Sequence, residues 1–404
     1  MGNTITPAEA GLSAERLGRL DTVMRRSVER ENLAGAVTIL ARRGRVAHVG
    51  CYGYMDLASQ EPMREDAIFR IFSMTKPITS LAVLMLHEEG RFHLNTPVSS
   101  FIPAFKSLKV AAGGKGSGTG LADLARQVTI HDLLTHTSGL GYGLDPSNPV
   151  EARFLEAGLL DMDEPMADKI PRLAAIPLHH QPGLRYTYSM ATDVLGYLVE
   201  LVSGLPLDEF FRTRIFGPLG MTDTDFFVPA EKRGRLATLY TDSPEGGLVD
   251  MAKLDPALTG HFMKGAWIHK DSKPRFLSGG GGLVSTAADY LRFALMLRTK
   301  GELEGQRLVG RKTMELMTAP CLRQDQFGIP GCSYGLGVTV LTDPALLEIS
   351  GSAGGFGGGG AANTDFWVDP REDLIGILMV QYATLNPCQV SQDFKAMAMQ
   401  AIVD

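Results

Sequence analysis

Ser73-Met74-Thr75-Lys76 sets a hydroxyl and an amine three residues apart. On a helix, positions i and i+3 share a face, so the serine Oγ and the lysine Nζ can meet. A serine hydroxyl becomes a useful nucleophile when a neighbouring base takes its proton. A lysine in water, with pKa about 10.4, is almost wholly protonated at neutral pH. Burial and nearby positive charge lower that value. Buried together, the two side chains would offer acyl chemistry on Ser73. A plainer reading makes Ser73 the N-cap of a helix and leaves Lys76 solvated. The tetrapeptide alone does not choose between them.

The surrounding elements must do the positioning. An apolar run at 67–72 precedes the pair, and Ile78, Leu81, Ala82, Leu84, Met85 and Leu86 follow it in a helical pattern. Pro77 is tolerable in the first turn of a helix, where N–H groups lack intrahelical partners. A helix is expected at 14–31. Apolar runs at 36–41 and 46–49 flank Arg42-Arg43-Gly44-Arg45 as in a β-hairpin. Thr129 reads as the N-cap of a helix that stops near Ser138-Gly139. Further helices are expected at 193–202, ending at Gly204, and at 208–215, closed by Gly217-Pro218. Residues 111–120 read as a flexible surface insertion, and 241–277 as a loop-rich stretch. A helix at 287–297, extended runs at 335–340, 364–368 and 374–380, and a closing helix at 391–402 complete the pattern. Strands at both ends of the chain with helices between them predict an α+β fold. One antiparallel sheet is flanked by helices and carries a mostly helical inserted domain. The expected division is 1–90 with 275–404 as the sheet domain and 91–274 as the insertion, with the active site between them.

Composition narrows the function classes. The 404 residues are 44% hydrophobic and 21% charged, as in an ordinary globular protein, with a formal net charge of −6. No basic stripe is apparent, which argues against nucleic acid as a partner. No apolar run reaches the length of a membrane span. The N-terminal residues lack a charged-then-apolar leader, and Gly2 with Thr6 does not suffice for a myristoylation motif. Cys51, Cys321, Cys332 and Cys388 show no paired spacing, and none of the nine histidines lies in a His-Glu-x-x-His arrangement. Neither a zinc site nor a disulfide framework is expected. The reading is a cytoplasmic protein without metal or cofactor.

Two further features follow Ser73 and Lys76 in order. Tyr188-Ser189-Met190 lies after the turn Gln181-Pro182-Gly183, and the glycine run Gly357-Gly358-Gly359-Gly360 leads into Ala361. This order resembles the serine β-lactamase and penicillin-binding superfamily, and most closely the family VIII carboxylesterases with their class C β-lactamase fold. The stretches Leu134-Thr135-His136-Thr137-Ser138-Gly139-Leu140 and Gly279-Gly280-Gly281-Gly282-Leu283-Val284 support the resemblance, which runs from about residue 14 to the end. It implies a serine hydrolase that cleaves short-chain carboxylic esters through an acyl-enzyme on Ser73. Lys76 and Tyr188 would be the coupled base and later acid, with the proton's holder left open. The backbone N–H groups of Ser73 and Ala361 would form the oxyanion hole. Gly358, Gly359, Gly360, Met190 and Tyr142 would line the substrate pocket.

Two positions depart from the superfamily pattern. Gly358 stands where β-lactamases carry Lys or His and many of the esterases Trp, and Met190 stands where β-lactamases carry Asn. Both changes move the expectation from β-lactam to ester and towards a more apolar pocket, although Met190 also reads as core packing. Acyl transfer from the same acyl-enzyme is the first rival function. A promiscuous β-lactamase or D-amino peptidase is the second, and a catalytically silent sensor the third. The expected partner is a small ester; assembly into a homo-oligomer is left open. Three decoys are set aside. Gly331-Cys332-Ser333-Tyr334-Gly335 matches the nucleophile-elbow pattern without the strand-turn-helix context it needs. His136 beside Ser138 reads as structural. The run at 279–282 lacks a phosphate-loop ending and reads as a tight passage between lobes.

Overall fold

A computed structural model describes residues 4–30, 33–112, 120–243, 245–254, 272–384 and 388–404. Among them an eight-stranded sheet is built from β1 (Gly35–Arg42), β2 (Arg45–Asp56), β3 (Glu61–Pro62), β4 (Cys332–Tyr334), β5 (Thr339–Leu341), β6 (Phe356–Gly360), β7 (Thr364–Asp369) and β8 (Leu374–Val380). Its order is β4-β5-β6-β7-β8-β1-β2-β3, and every neighbouring pair is antiparallel. The two chain ends meet where β8 pairs with β1, in the register Ala36 to Val380. The expected sheet assembled from both ends is present.

Alternation along the strands sorts side chains to two faces. Ala36, Leu40, Trp367, Leu378 and Val380 pack in one apolar cluster with Leu17, Leu20 and Met24 of α1 (Ala14–Arg30). Phe394 and Ala398 of the closing helix, Val390–Gln400, join it. Val37, Ile39, Phe366, Ile377 and Met379 face the larger core, which contains α2 (Thr75–Glu88), α3 (Ala191–Ser203) and α4 (Ala287–Arg298). No described helix is long and apolar enough to cross a membrane.

Local chemistry fixes most element ends. Arg43 and Gly44, at φ 56° and 76°, make the tight turn between β1 and β2. Thr129 accepts from the Asp132 N–H, and Asp132 bonds back to Thr129, a complete capping box. Gly204 ends α3 in the left-handed region at φ 74°.

Four expectations need correction. The helix capped by Thr129 ends at Leu134, short of Ser138-Gly139, and His136 follows at φ 55°. The extended run at 335–340 is a turn followed by β5, because Gly337 takes φ 95° and the Gly335 N–H bonds the Val338 carbonyl. The helix at 208–215 runs on through a π-turn, Arg212–Phe216, and ends at Gly220, not at Gly217-Pro218. Within the supposedly loop-rich stretch, Tyr240–Asp242 and Leu248–Asp250 pair as short strands; residues 255–271 lie outside the described residues. So do 113–119 of the expected insertion, whose flanks Lys109–Ala112 and Gly120–Asp123 pair antiparallel.

Candidate active site

Ser73 does not cap α2. It lies in a one-turn 3₁₀ segment, Phe72–Met74, and the cap position falls on Met74 with no side-chain bond. Phe72 holds φ 43°, the left-handed region, and is buried. A bulky residue adopts that conformation only where its surroundings enforce it. Here the Tyr290 hydroxyl donates to the Met74 carbonyl at 2.8 Å, and the Ile71 N–H donates to Leu283 O at 3.1 Å. Upstream, Ile68–Arg70 pairs antiparallel with Val284–Thr286. That ladder brings the glycine segment 279–282 against the start of α2.

Lys76 is 2% exposed. Its Nζ donates to Ser73 Oγ at 3.2 Å and to the Gly280 carbonyl at 2.7 Å. One turn on, Thr79 Oγ1 donates to the Gly279 carbonyl at 2.7 Å. The Lys76 amine also lies 4.5 Å from the Tyr188 ring centre and 5.6 Å from that of Tyr142, within range of cation–π attraction. Tyr188 OH and Ser73 Oγ are 2.5 Å apart. The structure thus brings Ser73, Lys76 and Tyr188 into mutual contact, although Tyr188 is 115 residues from Ser73.

Tyr188 is held between two rings. Tyr142 stacks on it at 5.7 Å and 11° between planes, and His136 lies 5.1 Å away on a tilt. The His136 Nδ1 bonds Ser189 Oγ at 3.1 Å, and its carbonyl accepts from the Thr187 N–H. Burial, with the Lys76 charge beside it, pushes the imidazole pKa well below its ordinary value. Tyr142 is pushed well above the usual phenol range by burial, then by Asp193 and Tyr188. The segment that carries Tyr142 is anchored by Glu151, whose Oε2 accepts from the Gly143 N–H at 2.5 Å and the Leu144 N–H at 2.8 Å. His179 bonds the other oxygen of the same carboxylate.

The glycine run is itself β6. An added Cβ on Gly360 would lie 2.4 Å from the Ile71 carbonyl and 2.3 Å from Thr364 Oγ1. The strand end that carries Ala361 therefore abuts the turn that carries Ser73, at a separation only glycine allows. At Gly358 a Cβ would meet only the Phe366 ring at 3.8 Å, so that position has room. Gly359 is exposed. Met190 is fully buried and precedes α3, which favours its packing role. Ser333 is buried too, donating to Leu322 O at 2.7 Å on strand β4.

Sequence reasoning missed Asp193, Gly280, Glu151 and the stacking role of His136. The signal for Asp193 was weak, an acid in the first turn of an amphipathic helix that also carries Glu200. The run at 279–282, read as a passage, also supplies a ligand to Lys76.

A family model described as beta-lactamase matches residues 20–397. The chain is 34% identical to esterase EstB of Burkholderia gladioli over 395 residues, covering 94% of each. It is 36% identical over 361 residues to protein Rv1367c of Mycobacterium tuberculosis, 87% of this chain and 86% of that one. Among solved structures, EstCE1, described as a hydrolase with promiscuous acyltransferase activity, superposes with a TM-score of 0.77. It is 26% identical and covers 96% of this chain and 98% of its own.

Proposed function

The chain belongs to the beta-lactamase family, and we propose that it hydrolyses short-chain carboxylic esters through an acyl-enzyme on Ser73. The observation that carries this is the contact of one half-buried hydroxyl with two proton-transfer groups, Tyr188 OH at 2.5 Å and Lys76 Nζ at 3.2 Å. In this reading the Ser73 proton passes to the Lys76/Tyr188 pair as Oγ bonds the ester carbonyl carbon. Backbone N–H groups at Ser73 and Ala361 stabilise the oxyanion, helped by the close approach at Gly360. The same proton goes to the departing alkoxide. Water, activated by the same pair, then releases the acid. Lys76 and Tyr188 touch Ser73 alike, so the pair is treated as one coupled base.

The relationship to EstB supports ester cleavage, and the open position at Gly358 supports esters without the anionic group a β-lactam presents. Acyl transfer is the second reading, favoured by the likeness to EstCE1. We further propose the division into 1–90 with 275–404 and 91–274, and a cytoplasmic location. Incubation with p-nitrophenyl acetate or butyrate beside nitrocefin tests the first reading. Turnover of the esters well above that of nitrocefin, with an acyl adduct on Ser73 by peptide mass mapping, is expected. An adduct elsewhere, or none, would overturn it. A new ester formed from an added bulky alcohol would identify transfer.

A further inference from the structure

Asp193 stands in the first turn of α3 and is 1% exposed. Its Oδ1 accepts from Ser278 Oγ at 2.5 Å and from the Gly280 N–H at 3.0 Å. Oδ2 is buried and has no hydrogen-bond partner. A buried carboxylate with an idle oxygen is costly to fold around unless opposite charge lies near. Two amines, Lys76 and Lys169, act on it electrostatically, and it acts in turn on the Tyr142 phenol. Lys169 is engaged elsewhere: its ammonium bonds the Asp161 carbonyl and lies 3.5 Å over the Phe276 ring. Lys76 is tied to Asp193 through a single residue. Gly280 gives its N–H to Asp193 and its carbonyl to Lys76 Nζ at 2.7 Å. Gly280 admits no side chain there, since an added Cβ would lie 2.5 Å from Asp193 Oδ2. Every group between the acid and the amine is thus fixed.

We propose that Asp193 is a positioning residue for the reaction on Ser73: it clamps Gly280 so that its carbonyl aims Lys76 at Ser73, and it supplies the buried negative charge that balances the Lys76 ammonium. This rests on the reading of Ser73, Lys76 and Tyr188 given above. Asp193 exchanges no proton with substrate. The serine proton moves to the Lys76/Tyr188 pair as the Ser73–acyl bond forms, and on to the alkoxide as the ester C–O bond breaks. The carboxylate acts on the pair from behind. Burial raises the Asp193 pKa, and the Lys76 charge opposes that rise. Around Lys76 the other titratable groups are Tyr188, Tyr142 and His136.

Asp193→Asn removes the charge that strengthens the bonds to Ser278 and Gly280 and so slackens the clamp, whereas Ser278→Ala keeps the charge and removes one of those bonds. With p-nitrophenyl butyrate, Asp193→Asn is expected to lower kcat about 100-fold, the scale of a misplaced reacting group, with KM within about threefold. Ser278→Ala should lower kcat about tenfold, again with little change in KM. An Asp193→Asn protein with the wild-type kcat, or one whose loss falls on KM, would overturn the proposal. If Asp193→Asn does not fold, as judged by circular dichroism, Ser278→Ala decides, and a wild-type kcat there overturns the clamp. Absence of any acyl adduct on Ser73 in the wild-type protein is a separate result. It would refute the reading of the site and take the role of Asp193 with it.

Discussion

The helices α1 and α2 are buried in opposite ways. Among its apolar residues, α1 buries Leu17, Leu20, Met24 and Val28, a stripe on one face laid against the sheet. In α2 every residue from Thr75 to Leu86 is buried, polar and apolar alike. A helix sunk on all sides carries no solvated face on which to place a lysine. Lys76 therefore enters the interior, and the Gly280 carbonyl and Ser73 hydroxyl satisfy it there. The first helix packs against the face of the sheet that carries none of the proposed catalytic residues. The second holds the Lys76 amine in the interior beside Ser73, where the proposed mechanism uses it.

Substitutions separate these two roles. The largest effect belongs to Ser73→Ala, expected to bring ester turnover to background with an unchanged melting temperature. The matching Ser333→Ala should keep most of its activity in the same assay. Next come Lys76→Ala and Tyr188→Phe, each lowering kcat by about 10²–10⁴ with far smaller changes in KM. A rise confined to KM would assign both to binding instead. Gly360→Ala should lower kcat by more than about tenfold by displacing the Ser73 turn, while Gly358→Ala stays within about twofold; equal effects would refute the close-approach explanation. The smallest effect on rate is expected from Leu20→Ala in α1. Denaturant titration should show about 2–5 kcal/mol lost, with kcat at 25 °C unaltered. A fall in kcat there would couple α1 to the site after all.

What was readable from the chain follows the range of each interaction. Ser73 and Lys76 are neighbours on a helix, so spacing alone pairs them. Resemblance, not spacing, brought in Tyr188. Strands β1, β2, β7 and β8 were legible from their apolar runs, and β8 spans the expected 374–380; β3, β4 and the glycine strand β6 have no such run. The turn at Gly337 was not legible, because its need for glycine comes from Ser80, whose Oγ would lie 2.1 Å from an added Cβ. Asp193 and Gly280 are 87 residues apart, and nothing local in either segment announces the bond between them. Likewise the His136–Tyr188 and Glu151–His179 contacts join separate segments. Two residues read as pocket lining divide in the same way. Tyr142 stacks on Tyr188, and Met190 is wholly enclosed.

The pairing of β8 with β1 has a consequence for synthesis on the ribosome. Strand β1 is buried at all eight positions, and its partner on one side is among the last segments translated. Until then the nascent chain displays a long greasy edge, the kind of surface that chaperones shield. Ala361 emerges just as late, so under the proposed mechanism a half-made chain carries Ser73 without one of the two backbone N–H groups of its oxyanion hole.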